Sequence, residues 1–248
     1  MGLTIHYKLR TPLVEVADMR ALLGSLRERA STLPFQEVGP LVELEGSAAD
    51  FEQGQRGEEH RWLKMQATAY LRRGNLDLQM KPLRLIGFST SPGEGCEDAN
   101  VGFCTYPASF TQPDESGRRR QFTTHLDGWR WSSFCKTQYA SNPDCGGIAN
   151  FLRCHLCVVQ LLDFARSTGK IAVEVHDEGD YWENRDLEKL AREVGSWNEQ
   201  LAAFCGQVKD EAARHRGDVA AAITQFPNFE HLEAKGVQRL RGQRDQQN

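Results

Sequence analysis

His155 sits where an imidazole must find a partner or cost stability. At about 100° per residue, Ile148, Phe151, Leu152, Val158, Val159 and Leu162 share one face of a helix over about 147–167. Cys154, Cys157, Leu161 and Phe164 carry the apolar surface most of the way round, leaving a polar strip of Arg153, Gln160 and Asp163. His155 falls inside the apolar face. A buried, oriented histidine can act as general base, general acid or metal ligand, and a core histidine bonded to a backbone carbonyl has the same surroundings. The acids placed to orient it are Asp177 and Glu178, where the run KIAVEVHDEG ends and HDEGDYWENRD begins. A solvated acidic turn accounts for the same letters.

Two further segments supply groups for a polar or anionic substrate. In FCKTQYASNPDCGGIANF, residues 134–151, Lys136 can neutralise a phosphate or carboxylate and Tyr139 can donate a proton or stack on a ring. Gln138, Gly146, Gly147 and Asn150 stand at the same mouth, and free amides at a helix start favour an anion. In SPGEGCEDANVG, residues 91–102, Gly95, Cys96 and Glu97 form a tight turn that presents either converging amides or a thiol. A plain hairpin loop and a Gly-rich helix entry are the simpler readings of these two stretches. Together the segments predict a hydrolase or group-transferase site. His155 would be its base or acid, and Cys96 or Cys135 the nucleophile of a less favoured version.

Cofactor motifs are missing from these letters. The glycines match neither the phosphate-binding loop nor the dinucleotide fingerprint. Cys154 and Cys157 make a CxxC, but Cys135 and Cys145 fall on a strand and a loop at spacings that do not suit structural zinc. A catalytic ion held by His125, His155, His176 or Asp177 requires those residues to meet, which spacing does not establish.

The elements that must position these groups read as an α+β fold. Leu3, Ile5 and Tyr7 alternate with Thr4, His6 and Lys8, a half-buried strand. Val16, Met19, Leu23, Leu26 and Ala30 give a helical stripe ending before Pro34. RWLKMQATAYLR, 61–72, alternates as a strand, and further β runs lie at 36–45, 82–90, 100–106 and 121–137. Beyond the central helix come a buried strand and a helix starting near Asp186 with Leu187, Leu190, Val194, Trp197, Leu201, Phe204 and Val208 in heptad register. That last helix is expected to pack on the chain's own sheet, with homodimerisation through 187–208 as the alternative. The order predicts a mixed, mostly antiparallel sheet with helices packed on it, similar to a ferredoxin-like split β-α-β with an inserted meander. One domain is expected over 1–235, followed by a polar, disordered tail at 236–248.

Composition sets the outer limits. The 248 residues carry 30 Lys and Arg against 34 Asp and Glu, a net charge of −4, with 40% hydrophobic residues. These values suit a soluble globular chain and exclude a fibrous or disordered one. No run approaches the roughly 18 apolar residues of a membrane span, and no secretory signal opens the chain, so a cytoplasmic protein is expected. Seven cysteines, an odd number, favour reduced thiols. Arg118–Arg120 and the arginines of the tail stand alone in an acidic chain, so nucleic acid is not expected as a partner. A small anionic or polar ligand is. The rival to an enzyme is a non-catalytic binding protein using Trp129, Trp131 and Tyr139, within 129–139, together with the long C-terminal helix.

Overall fold

The computed structural model describes residues 3–51, 60–73, 76–113, 118–214 and 220–245. In chain order these form β1 (Thr4–Thr11), α1 (Val16–Thr32), β2 (Glu37–Val38), β3 (Val42–Glu45), α2 (Arg61–Ala67), β4 (Ala69–Arg73), β5 (Leu76–Met80), β6 (Arg84–Phe88), β7 (Thr90–Ser91), β8 (Val101–Thr105), β9 (Ser109–Pro113), β10 (Arg119–Thr123) and β11 (Trp129–Lys136). Then follow α3 (Gly147–Ser167), β12 (Ala172–Asp177), α4 (Tyr181–Asn184), α5 (Leu187–Arg214) and α6 (Phe229–Asp245). The architecture is α+β.

The main sheet has the order β12-β1-β11-β8-β6-β3, and every neighbouring pair in it is antiparallel. Three two-stranded pairs accompany it, β2 with β7, β4 with β5, and β9 with β10. β3, β6, β8 and β11 form a meander, and β1 lies between β11 and β12, the two strands that α3 connects. The ferredoxin-like comparison goes no further than this topological analogy.

Alternation along β1 divides the sheet into two faces. Ile5, Tyr7 and Leu9 point into the main core with Met19, Leu23 and Leu26 of α1 and Val158, Leu161 and Leu162 of α3. His6, Lys8 and Arg10 point the other way and are exposed. α3 has the length and mean hydropathy, 1.3, of a membrane span. Half of that stretch is buried within the chain, by the core of the sheet and by Leu190 and Val194 of α5, while Ile148 near its start, expected on the covered face, is exposed.

Several expectations are corrected. Residues 61–67 are helix, not strand, and only Ala69–Arg73 is extended. β12 is an edge strand with exposed and half-buried residues alternating, not a buried one. The stretch expected to be a disordered tail is helical as far as Asp245. α5 begins at Leu187 as expected, with the Asp186 carboxylate accepting from the Lys189 amide at 2.9 Å. Its apolar seam packs on Phe151 and Cys154 of α3 and on Phe226 and Phe229 before and within α6, not on the sheet.

Candidate functional site

The segments singled out in the sequence do converge, and they converge by close packing. His155 Nε2 lies 3.0 Å from Asp177 Oδ2, and Nδ1 lies 3.0 Å from Thr137 Oγ1. α3 supplies the imidazole, the end of β12 the carboxylate, and the residue after β11 the hydroxyl. Burial pushes the Asp177 carboxyl up, but the hydrogen bond and charge of His155, with the amides of Gly179 and Trp182 at 2.9 Å each, more than reverse it. The net effect holds Asp177 below the usual carboxylate range. An ionised Asp177 fixes a proton on Nε2, so both ring nitrogens are occupied.

Hydroxyl, imidazole and carboxylate in one hydrogen-bonded line is the order of a nucleophilic triad. Exposure decides what this one can do. Thr137 and His155 are 0% exposed and Asp177 is 3% exposed, with the rings of Phe151 and Tyr181 packed 5.5 and 6.2 Å from the imidazole. In this arrangement the line ties three elements together and offers no face to a substrate.

The remaining expected site residues are committed to the fold in similar ways. Glu178 does not reach His155, and its Oε2 accepts from the Thr4 amide at 2.9 Å. Gln138 accepts from the Leu3 amide at 3.2 Å and donates to Asn198 at 3.0 Å. The amides of Gly146 and Gly147 are not free for an anion, because Pro143 and Asn142 carbonyls accept from them at 3.1 and 2.9 Å. Asn150 Nδ2 donates to the Glu94 and Ala140 carbonyls. Gly95 has φ +81°, and a Cβ there would stand 2.6 Å from the Tyr139 carbonyl oxygen, so this glycine lets the 91–98 loop lie flat on the turn before α3. Glu97 and Lys136 pair through their backbones, with a Glu97 Oε2 contact to the Lys136 amide at 3.3 Å. Lys136 Nζ rests 4.6 Å from the centre of the Tyr139 ring. Trp129 and Trp131, expected as exposed binding aromatics, are 4% and 3% exposed.

Open space lies on the other face of the sheet. Register pairs His176 with His6 and His6 with Phe134, then Glu174 with Lys8 and Lys8 with Ser132, then Ala172 with Arg10 and Arg10 with Arg130. These outward rows floor a cleft of about 820 Å³, walled by Met65, Gln66, Thr68 and Tyr70 from α2 and β4. A hydrogen bond of 2.8 Å from Ser133 to Gln66 holds α2 over β11. A second hollow of about 340 Å³ shares Met65, Gln66 and Phe134 with the first and extends to Cys96 and Asn100.

The cleft combines cations with flat rings. The His6 and His176 rings stack at 6.1 Å, Phe134 lies 6.0 Å beyond His6, and Tyr70 is 63% exposed. Arg10 is 3.9 Å from Glu174, while Lys8 has no ion-pair partner among the described residues. Most telling is Arg130. Its Nε is buried against the cleft without a hydrogen-bond partner among the described residues, as is the side-chain amide of Asn100 in the adjoining hollow.

The chain matches no family model, no curated protein and no solved structure. The chemistry of the cleft therefore rests on its geometry. Among the described residues no group of three or more His, Cys, Asp or Glu side chains is arranged to hold a metal ion. The sequence did carry one sign of this site, the alternation of His6 and Lys8 against the apolar face of β1. That Phe134, Arg130 and His176 would stand beside them depends on cross-strand register, which no local pattern encodes.

Proposed function

We propose that the protein binds a small anionic ligand with a flat or apolar portion in the cleft on the face of the sheet opposite α1 and α3. The observation that carries this reading is the buried, unpartnered Arg130 Nε on the cleft wall. A buried guanidinium donor left unpaired costs stability, and a turn of the half-buried Arg130 side chain into the cleft would let an anion from outside complete it. Lys8 and Arg10 add positive charge along the same wall, and the stacked histidines and Phe134 offer ring faces. A volume of about 820 Å³ suits a small molecule. Non-catalytic binding is favoured over hydrolysis or group transfer because the hydrogen-bonded His155–Asp177 pair is sealed from solvent.

The test uses 8-anilinonaphthalene-1-sulfonate, an anionic aromatic fluorophore, beside the uncharged N-phenyl-1-naphthylamine. Arg130→Gln should weaken the anion by about 10- to 100-fold, the equivalent of one charge-assisted hydrogen bond, and leave the neutral probe within about twofold. Rising salt should weaken the anion alone. Equal affinity of the anionic probe for wild type and Arg130→Gln would remove the proposal.

A further inference from the structure

The hollow of about 340 Å³ beside the cleft holds an unpaired group of a different kind. Asn100 lines it and is 1% exposed, and neither its side-chain oxygen nor its side-chain nitrogen has a hydrogen-bond partner among the described residues. Its backbone is fixed. The Asn100 carbonyl accepts from the Tyr7 hydroxyl at 2.6 Å and from Trp131 Nε1 at 2.9 Å, and the preceding Ala99 amide donates to the Thr90 carbonyl at 2.8 Å. A buried amide with donor and acceptor both unsatisfied costs stability, and a partner that carries an acceptor beside a donor relieves both at once. A flat, amino-bearing heterocycle has such an edge, which is how asparagine pairs in bidentate fashion with adenine.

Two further features of the hollow suit the same ring. Trp62, 54% exposed, and Phe134, 38% exposed, line it and present faces on which a base stacks. Glu97 and Asp98 line it too, and their carboxylates attract an exocyclic amine and repel a phosphate. The balance in the neighbouring cleft is the opposite, with Lys8, Arg10 and Arg130 against Glu174. Met65, Gln66 and Phe134 line both spaces, so the two adjoin. Arg130 and Phe134 lie on the same side of β11, four residues and roughly 13 Å apart along the strand.

We propose, resting on the anion-binding reading of the cleft, that the ligand is a nucleoside 5′-monophosphate with an amino-bearing base, adenine being the fullest match. Its base lies in the hollow and its phosphate in the cleft at Arg130. The last torsion of an asparagine side chain is soft. A turn of the Asn100 amide into the hollow brings its oxygen to the exocyclic amine and its nitrogen to the adjacent ring nitrogen. The second hydrogen of that amine is left for a carboxylate of Glu97 or Asp98. Opposed charge in the two spaces fixes which end of the ligand lies where.

The test titrates the full chain calorimetrically with adenosine 5′-monophosphate and with inosine 5′-monophosphate, in which a carbonyl replaces the amine. Wild type should bind the adenosine nucleotide at least about 10-fold more tightly, because the inosine carbonyl meets acceptors. Asn100→Leu should bring the two nucleotides within about twofold of each other. Trp62→Ala, a change at an exposed ring, should weaken both by about 5- to 100-fold through lost stacking. Arg130→Gln should weaken both by about 10-fold and preserve their ratio. Equal affinity of wild type for the two nucleotides, or a preference that survives in Asn100→Leu, would overturn the proposal while the anionic fluorophore still responds to Arg130→Gln. Failure of the anion reading shows differently, as fluorophore and nucleotide affinities that Arg130→Gln leaves unchanged, and it would overturn the placement of the phosphate.

Discussion

Asp177→Ala should lower the stability of the fold by about 3–5 kcal/mol, since three buried hydrogen-bond donors would lose their shared acceptor. The substitution leaves His155 at 0% exposure with an unpaired Nε2, and it frees the Gly179 and Trp182 amides that the carboxylate now receives. His155→Ala should cost a similar amount. The double variant should fall well short of the sum, because both single changes break the same hydrogen bond. Denaturant unfolding of the four proteins measures this directly. Single-variant losses below about 1 kcal/mol would show that the line from Thr137 to Asp177 is not the tie its geometry describes.

The pH dependence has a definite sign. Asp177 has a folded-state pKa held below its unfolded value of about 3.9, so it contributes stability that is fully present above that value. The contribution is lost as pH falls from there through the folded-state pKa. Asp177→Asn keeps the shape and removes this titration, so its stability should change less between about pH 4 and pH 2 than that of wild type. Parallel acid limbs in the two proteins would mean that the carboxylate is not preferentially ionised in the native state.

Legibility from sequence followed periodicity. β1, α1 and α3 carry long, regular apolar spacing, and the structure places them at Thr4–Thr11, Val16–Thr32 and Gly147–Ser167. The placement of His155 among apolar neighbours was readable on the same grounds, whereas Asp177 and Glu178 stood as equal candidates for its partner. The 61–67 segment misleads because Leu63, Met65 and Ala67 alternate with polar residues, while Leu63 and Ala67 are also four apart on one helical face. Its Leu, Lys, Met, Gln and Ala are helix formers, and propensity prevails where the alternation carries no β-branched residue. The end of α6 hides a packing device. Gly236 has no room for a side chain against the Glu199 carbonyl, and Arg239 bonds to Glu199 and Ser196, so a polar stretch docks on α5 without an apolar stripe. Such contacts lie between segments distant in the chain and leave no period to read.

The functional residues divide along the same line. Residues expected at the site, such as Gln138 and Asn150 for substrate and Glu178 for orienting His155, are polar groups at turns or a helix start that the backbone itself needs. The letters cannot separate a carboxylate that orients a histidine from one that accepts the Thr4 amide, because both uses place an acid at a strand end. The cleft was missed for the complementary reason. Its floor is assembled from alternate residues of three strands, of which β1 and β11 are separated by more than a hundred positions in the chain.

Trp131 decides between the two accounts of the aromatic segment. As an exposed binding residue, the role expected from its sequence neighbourhood, Trp131→Ala would weaken ligand binding and leave stability nearly unchanged. Its observed setting predicts the reverse. Trp131 is 3% exposed, and its Nε1 donates to the Asn100 carbonyl at 2.9 Å beside the Tyr7 hydroxyl, which donates to the same oxygen at 2.6 Å. Truncation to Ala should cost about 3–5 kcal/mol through lost apolar contact and the hole left under the cleft. For a chain of this size that corresponds to a fall of roughly 6–20 °C in Tm. Trp131→Phe keeps most of the bulk and removes one of the two donors, so its cost should be nearer about 1 kcal/mol. Thermal unfolding of both variants beside titration with the anionic fluorophore separates the outcomes. A stable Trp131→Ala protein with weakened binding would move Trp131 out of the core and into the recognition surface.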